Sequence, residues 1–264
     1  MEWITMENIK NLFNTVFFIT TGTVAIFTYR QARKTVLQPL RTEVFKEQIR
    51  IMGDVLEIFN GKNQSDLRDD FDFNKIFKIS FREMANSYAR IFFNVEPNQP
   101  RDTSEFPQSI IDKSYFEKNF SLADNDLIED DSAASREQVI YSEIEAMEIW
   151  SDYQLGMVHV SKDFLLYRKK ILKLSSNPLI PTELSELLDE YLGIIRGYIR
   201  EIDNVITMCA KEMPERYKTI NSLENASSNW IYASYPKDNK LEDCAKKIII
   251  FIREYFDTDN LTKR

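Results

Sequence analysis

The sequence predicts an all-α protein: one N-terminal transmembrane helix followed by a cytoplasmic α-helical bundle. Three observations lead there. The chain of 264 residues contains a 19-residue run, Asn11–Tyr29, without a single charge. Beyond it, apolar residues recur at helical spacing, and Pro, Gly and polar clusters punctuate them. Gly is scarce, at 6 residues, where average usage gives roughly 18 for this length, and no stretch between turn signals alternates with strand period.

The uncharged run reads as a membrane span. At about 1.5 Å per residue it covers about 29 Å, close to the ~30 Å hydrocarbon core of a bilayer. Phe13, Val16, Phe17, Phe18, Ile19, Val24, Ala25, Ile26 and Phe27 make it apolar, while five Thr and two Asn dilute it. Trp3 and Tyr29 suit the two interfaces, and the basic residues Arg30, Arg33, Lys34 and Arg41 follow. A secretory signal has the reverse layout, with its charges ahead of the apolar stretch and a small-x-small cleavage site after it. Basic residues gather after the run, so the positive-inside rule expects residues 1–10 outside the cell membrane and residues 30–264 in the cytoplasm. Cys209 and Cys244 are the two cysteines; without metal or redox spacing, they fit a reducing compartment.

The span carries a polar side. Asn14, Thr21 and Thr28 are seven apart, with Gly22 and Ala25 beside them. Small residues let helices approach, and Thr or Asn can hydrogen-bond across the contact, so this stripe is expected to mediate association between copies. The alternative is that each Thr hydroxyl bonds back to its own helix.

Past the membrane, Pro39 is expected to break or kink the backbone at Gln38. Residues 30–60 then form a basic juxtamembrane segment and a first cytoplasmic helix over Arg41–Phe59, ended by Gly61 and the polar run Lys62–Asp70. A second amphipathic stripe runs from Phe73 to Phe92 with Asp72 as its cap. Residues 94–107, with Pro97, Pro100 and Pro107, form a loop and candidate hinge within the domain spanning 61–264. A short helix near Gln108–Phe120 and the acidic stretch Asp124–Asp131 follow. That stretch lacks the central Gly and terminal Glu of a calcium loop. Ser135 and Gln138 form a capping-box pattern opening the longest helix, to about Leu174. Thr182 caps the next helix, in which Gly193 and Gly197 mark a close helix crossing, and Pro214 ends or kinks it. Asn221–Lys240 is irregular, and Leu241–Phe256 is the last helix.

Composition excludes most chemistry. With one His, His159, neither Glu-x-x-His pairs for di-iron nor His-Glu-x-x-His for zinc can be assembled. The positions preceding it that a HEPN ribonuclease motif would fill with Arg are Asp152, Tyr153 and Gln154. His159 is therefore expected to be an ordinary helix residue. The net charge of −8 argues against general nucleic-acid binding. No catalytic residue, metal ligand or cofactor site is expected. The sequence points to a non-enzymatic docking, sensing or scaffold module held at the membrane, with the lipid bilayer, a second copy and a cytoplasmic protein as partners. An oligomeric membrane-perturbing or pore-forming effector is the alternative. Small single-span effectors of prokaryotic antiviral systems share this layout, although no motif carries a family relation.

Overall fold

The computed structural model describes residues 6–95, 105–111, 115, 117–118, 140–227, 229–235 and 238–256. It is mostly helical. In chain order the elements are α1 (Met6–Phe59), α2 (Gln64–Asp69), α3 (Phe73–Phe93), β1 (Gln108–Ile111), α4 (Glu143–Ser151) and β2 (Met157–Val160). They continue as α5 (Lys162–Ser175), α6 (Thr182–Ala210), α7 (Met213–Arg216), α8 (Ile220–Glu224), α9 (Asn229–Tyr232) and α10 (Lys240–Tyr255). Contacts divide the chain into two units, residues 1–54 with 178–180, and residues 55–177 with 181–264.

The first unit is mainly one long helix. α1 runs unbroken for 54 residues and passes through Pro39, where the sequence led us to expect a break or kink. The apolar run and the Arg41–Phe59 segment are thus one helix rather than two. A proline costs a helix one backbone hydrogen bond and crowds the preceding turn; the helical pattern on both sides continues across it. Gln48 Nε2 donates to the Leu179 carbonyl at 2.8 Å.

The second unit is organised around α6, which packs against α3, α5, α10, β2 and α9. Its buried face carries Leu184, Leu188, Tyr191, Ile195, Ile202 and Ile206, the i, i+3, i+4 pattern of an amphipathic helix. An aromatic cluster fills the centre. Phe71 meets Phe164 at 5.6 Å and Tyr167 at 5.1 Å, both edge to face, and Phe59 meets Tyr191 the same way at 4.9 Å. These are the separations and tilts that aromatic quadrupoles favour. Beside the cluster, Lys62 Nζ donates to Asp70 Oδ2 at 2.7 Å and to Tyr167 Oη at 2.8 Å. Burial pulls the Lys62 pKa down, but those two hydrogen bonds outweigh it and hold it above the ordinary lysine value.

Several local expectations are corrected. The polar run Lys62–Asp70 contains α2, opened by a capping box in which Asn63 accepts from the Asp66 amide and Asp66 accepts from the Asn63 amide. Asp72 does stand at the N-cap of α3, but in the left-handed region (φ 53°) and without a side-chain capping bond. Thr182 is the first residue of α6 rather than its cap, a position held by Pro181. α6 ends at Ala210, before Pro214, which lies in the first turn of α7, where a missing N–H costs nothing. The segment expected to be irregular contains α8 and α9. A Cβ added at Gly193 or Gly197 meets nothing within 4 Å, so these glycines do not mark a close contact with a described element.

The largest correction concerns residues 108–174. Gln108–Ile111 is a strand, not a helix, and pairs antiparallel with Met157–Val160, with Ser109 opposite His159. His159 is thus a buried strand residue. The expected long helix is two helices, α4 and α5, with β2 between them. Gly156 (φ +61°) turns the chain into β2, and a Cβ there would stand 2.2 Å from the Tyr115 ring, so both backbone and space require Gly. The Leu155 amide donates to Thr207 Oγ1 at 3.1 Å and the Gly156 amide to Asp203 Oδ1 at 3.0 Å, fixing this turn to α6. Ser142 with Glu145 forms the capping box of α4. The expected Ser135–Gln138 box, the acidic stretch Asp124–Asp131, Trp3, Pro97 and Pro100 lie outside the described residues.

Candidate functional site

The candidate site is the N-terminal part of α1 with the basic residues that follow. α1 alone among the described helices is long and apolar enough to cross a membrane. Residues 11–29 are exposed throughout, Phe13 at 71%, Phe18 at 72% and Phe27 at 63%. Over residues 11–29 this helix is not a buried core element, whereas its far end, with Ile51, Met52, Val55, Ile58 and Phe59, is buried.

Helix geometry sorts the side chains. At about 100° per residue, Asn14, Thr21, Ala25 and Thr28 fall within about 60° of one another, whereas Gly22 lies about 80° to the side of Asn14. Arg30, Lys34 and Arg41 fall about 160–200° from Asn14, and Arg33 about 100° from it. The polar stripe and most of the basic group therefore occupy opposite sides of one helix.

Hydrogen bonding makes the same division. Thr15, Thr20 and Thr23, which lie away from the stripe, donate to the carbonyls of Asn11, Val16 and Ile19 at 2.8, 2.8 and 2.7 Å. That is the self-satisfying arrangement of a helical Thr. Among the described residues, Asn14, Thr21 and Thr28 make no such bond; their polar groups are uncommitted. Within residues 11–29 self-bonded and uncommitted Thr hydroxyls are thus separated by face, whereas Thr35 and Thr42, which continue the seven-residue spacing of the stripe, donate to the Gln31 and Gln38 carbonyls at 2.9 Å.

The basic group is also uncommitted. Arg30, Arg33, Lys34 and Arg41 form no ion pair among the described residues, and with Phe27, Gln31 and Gln38 they line one shallow concavity. No carboxylate occurs between Glu7 and Glu43. Further along α1 the pattern changes, with Lys46–Glu43, Arg50–Glu47 and Arg50–Asp54 pairs.

The described residues hold no cluster of three or more His, Cys, Asp or Glu able to bind a metal. Burial pushes the phenols of Tyr88 and Tyr167 up to about 12 and the Cys244 thiol up to about 11, away from neutral pH. Compared with family models, curated proteins and solved structures, the chain finds no match.

Proposed function

We propose that this chain is a single-span, membrane-anchored protein whose helical cytoplasmic part acts as a non-enzymatic docking, sensing or scaffold module. The observation that carries the reading is a predominantly apolar helix, exposed on every side over residues 11–29, followed by four uncommitted cations. In water, exposed apolar surface on this scale is unfavourable; in a bilayer it is the required surface, and the cations meet headgroups at the cytoplasmic face. The N-terminus is outside and the α-helical bundle inside. Alkaline carbonate washing leaves the protein in the membrane pellet; release into the supernatant would reduce the helix to a peripheral contact. In sealed spheroplasts, external protease spares the chain beyond Arg30, and digestion of the second unit would reverse the orientation.

The division of the helix favours a second reading, an oligomeric membrane-perturbing effector. Asn14, Thr21 and Thr28 have polar groups that lipid cannot satisfy, and a second copy can. With Arg30, Lys34 and Arg41 on the other side, copies joined through the stripe keep their cations apart. A detergent-solubilised assembly of four or more copies supports the effector; a monomer leaves the anchored docking module.

A further inference from the structure

The second unit contains a cavity of about 430 Å³ bounded by α2, the start of α3, Tyr232, Tyr235, Asp238 and Asn239, a size within the range of small-molecule sites. We propose that it binds a small phosphate monoester through Arg68 and Ser65. This goes beyond the anchored-module reading and is read on binding, so either can fail without the other.

The walls are polar and fixed. Gln64 Nε2 donates to Tyr198 Oη at 2.9 Å, and Gln64 Oε1 accepts from the Glu242 amide at 3.0 Å. Tyr198 Oη donates to Asp238 Oδ1, whose other oxygen pairs with Lys240 Nζ at 2.6 Å. Asn74 Nδ2 donates to Asp69 Oδ1 at 3.1 Å, and Tyr232 Oη to the Asn74 carbonyl at 3.2 Å. The carboxylates of Asp69 and Asp238 are thus already engaged, as are the side-chain amides of Gln64 and Asn74.

Arg68 differs. Its guanidinium lies 4.6 Å from the Tyr235 ring centroid and 5.7 Å from that of Tyr198. Among the described residues it makes neither an ion pair nor a hydrogen bond. Stacking on aromatic faces leaves the edge of the guanidinium plane, with its N–H fork, open, the geometry that matches an oxyanion bidentately. Ser65 lines the same cavity and precedes Arg68 by three residues on α2, hence on the same helix face. Its hydroxyl supplies a donor besides the fork. A phosphate monoester presents three terminal oxygens to three donors, whereas a carboxylate presents two.

The test is titration calorimetry of the full-length protein with ribose 5-phosphate and adenosine 5′-monophosphate, alongside succinate, inorganic phosphate and adenosine. Both esters are expected to bind, with succinate and adenosine at least about tenfold weaker. Weak binding of inorganic phosphate alone is expected from the missing organic part. Arg68→Gln should weaken the esters at least about tenfold and Arg68→Lys by less, since Lys keeps charge without the fork. Ser65→Ala, at an exposed position, should weaken them about threefold without altering the melting temperature. The proposal fails if neither ester binds up to about 10 mM, if succinate binds as well as the esters, or if Arg68→Gln and Ser65→Ala both bind as wild type does.

Discussion

Ser161 Oγ donates to Asp72 Oδ2 at 2.7 Å, across 89 residues of sequence, while accepting from the Phe164 amide at 3.1 Å. One hydroxyl thereby caps α5 and ties it to the residue that opens α3. Asp72, whose side chain caps nothing on its own helix, is held in a left-handed conformation.

Ser161→Ala removes both bonds and leaves a partly buried carboxylate without its donor. The expected loss is about 1–2 kcal/mol, typical of an N-cap, read as a lowered urea midpoint with unchanged slope. Asp72→Asn keeps an acceptor and should cost less. Equal stability of Ser161→Ala and wild type would show that water replaces the hydroxyl at no cost.

Tyr191 is fully buried, and its hydroxyl has no hydrogen-bond partner among the described residues. Desolvation of that group therefore opposes folding. Tyr191→Phe keeps the ring against Phe59 and should be neutral or stabilising by up to about 1 kcal/mol, measured by denaturant melts. A loss above about 1 kcal/mol would reveal a partner for the phenol, such as a buried water.

The polar stripe of α1 can be tested without disturbing the chain's own packing. A Cβ at Gly22 meets nothing within 4 Å, and the side chains of Asn14 and Thr21 are exposed. Asn14→Leu, Thr21→Leu and Gly22→Leu together should make insertion more favourable while reducing assembly size. Each lost interhelical hydrogen bond is worth only ~0.6 kcal/mol on average, so a single Thr→Val change should do little. Unchanged assembly size in the triple variant would make the stripe incidental.

Cys209 and Cys244 are buried, and burial raises both thiol pKa values, that of Cys244 to about 11. At pH 8 the aromatic disulfide reagent of a standard thiol assay should label neither until denaturant is added. The raised folded pKa also fixes a sign. Stability associated with the protonated thiol is complete below the unfolded value near 8.5 and declines as pH rises from there towards about 11. Rapid labelling of the native protein would mean that α6 or α10 opens readily.

Much of this architecture is legible in the residues, and the exceptions have physical causes. The apolar period of α3, α6 and α10 extends over many turns, so their existence follows from sequence, as does the stop at Gly61 (φ +75°). The strands escape notice because each has four residues, too few to display alternation, and their partners are far apart in sequence. Met157 and Val160 also continue the helical spacing of Trp150, Tyr153 and Phe164, which hides the break. Gly156 was the available signal. On α1 the stripe and the basic residues are readable directly; which Thr hydroxyls are self-bonded is not, because it depends on side-chain rotamers. Arg68 gives no signal at all, since its aromatic platforms come from Tyr198 and Tyr235.

α2 has six residues, fewer than an isolated helix needs to persist, and it is docked by a reciprocal exchange. The Gln64 amide donates to Glu242 Oε2 at 3.1 Å, and the Glu242 amide to Gln64 Oε1 at 3.0 Å, across 178 residues. During translation the ribosome releases the chain in order, at roughly 5–20 residues per second, so Glu242, 178 residues after Gln64, follows it by roughly 9–36 s. A nascent chain that has already produced α2 must therefore wait that long before the segment that secures it is available. Premature stops upstream of residue 240 should accordingly produce chains dependent on chaperones rather than smaller versions of the same domain.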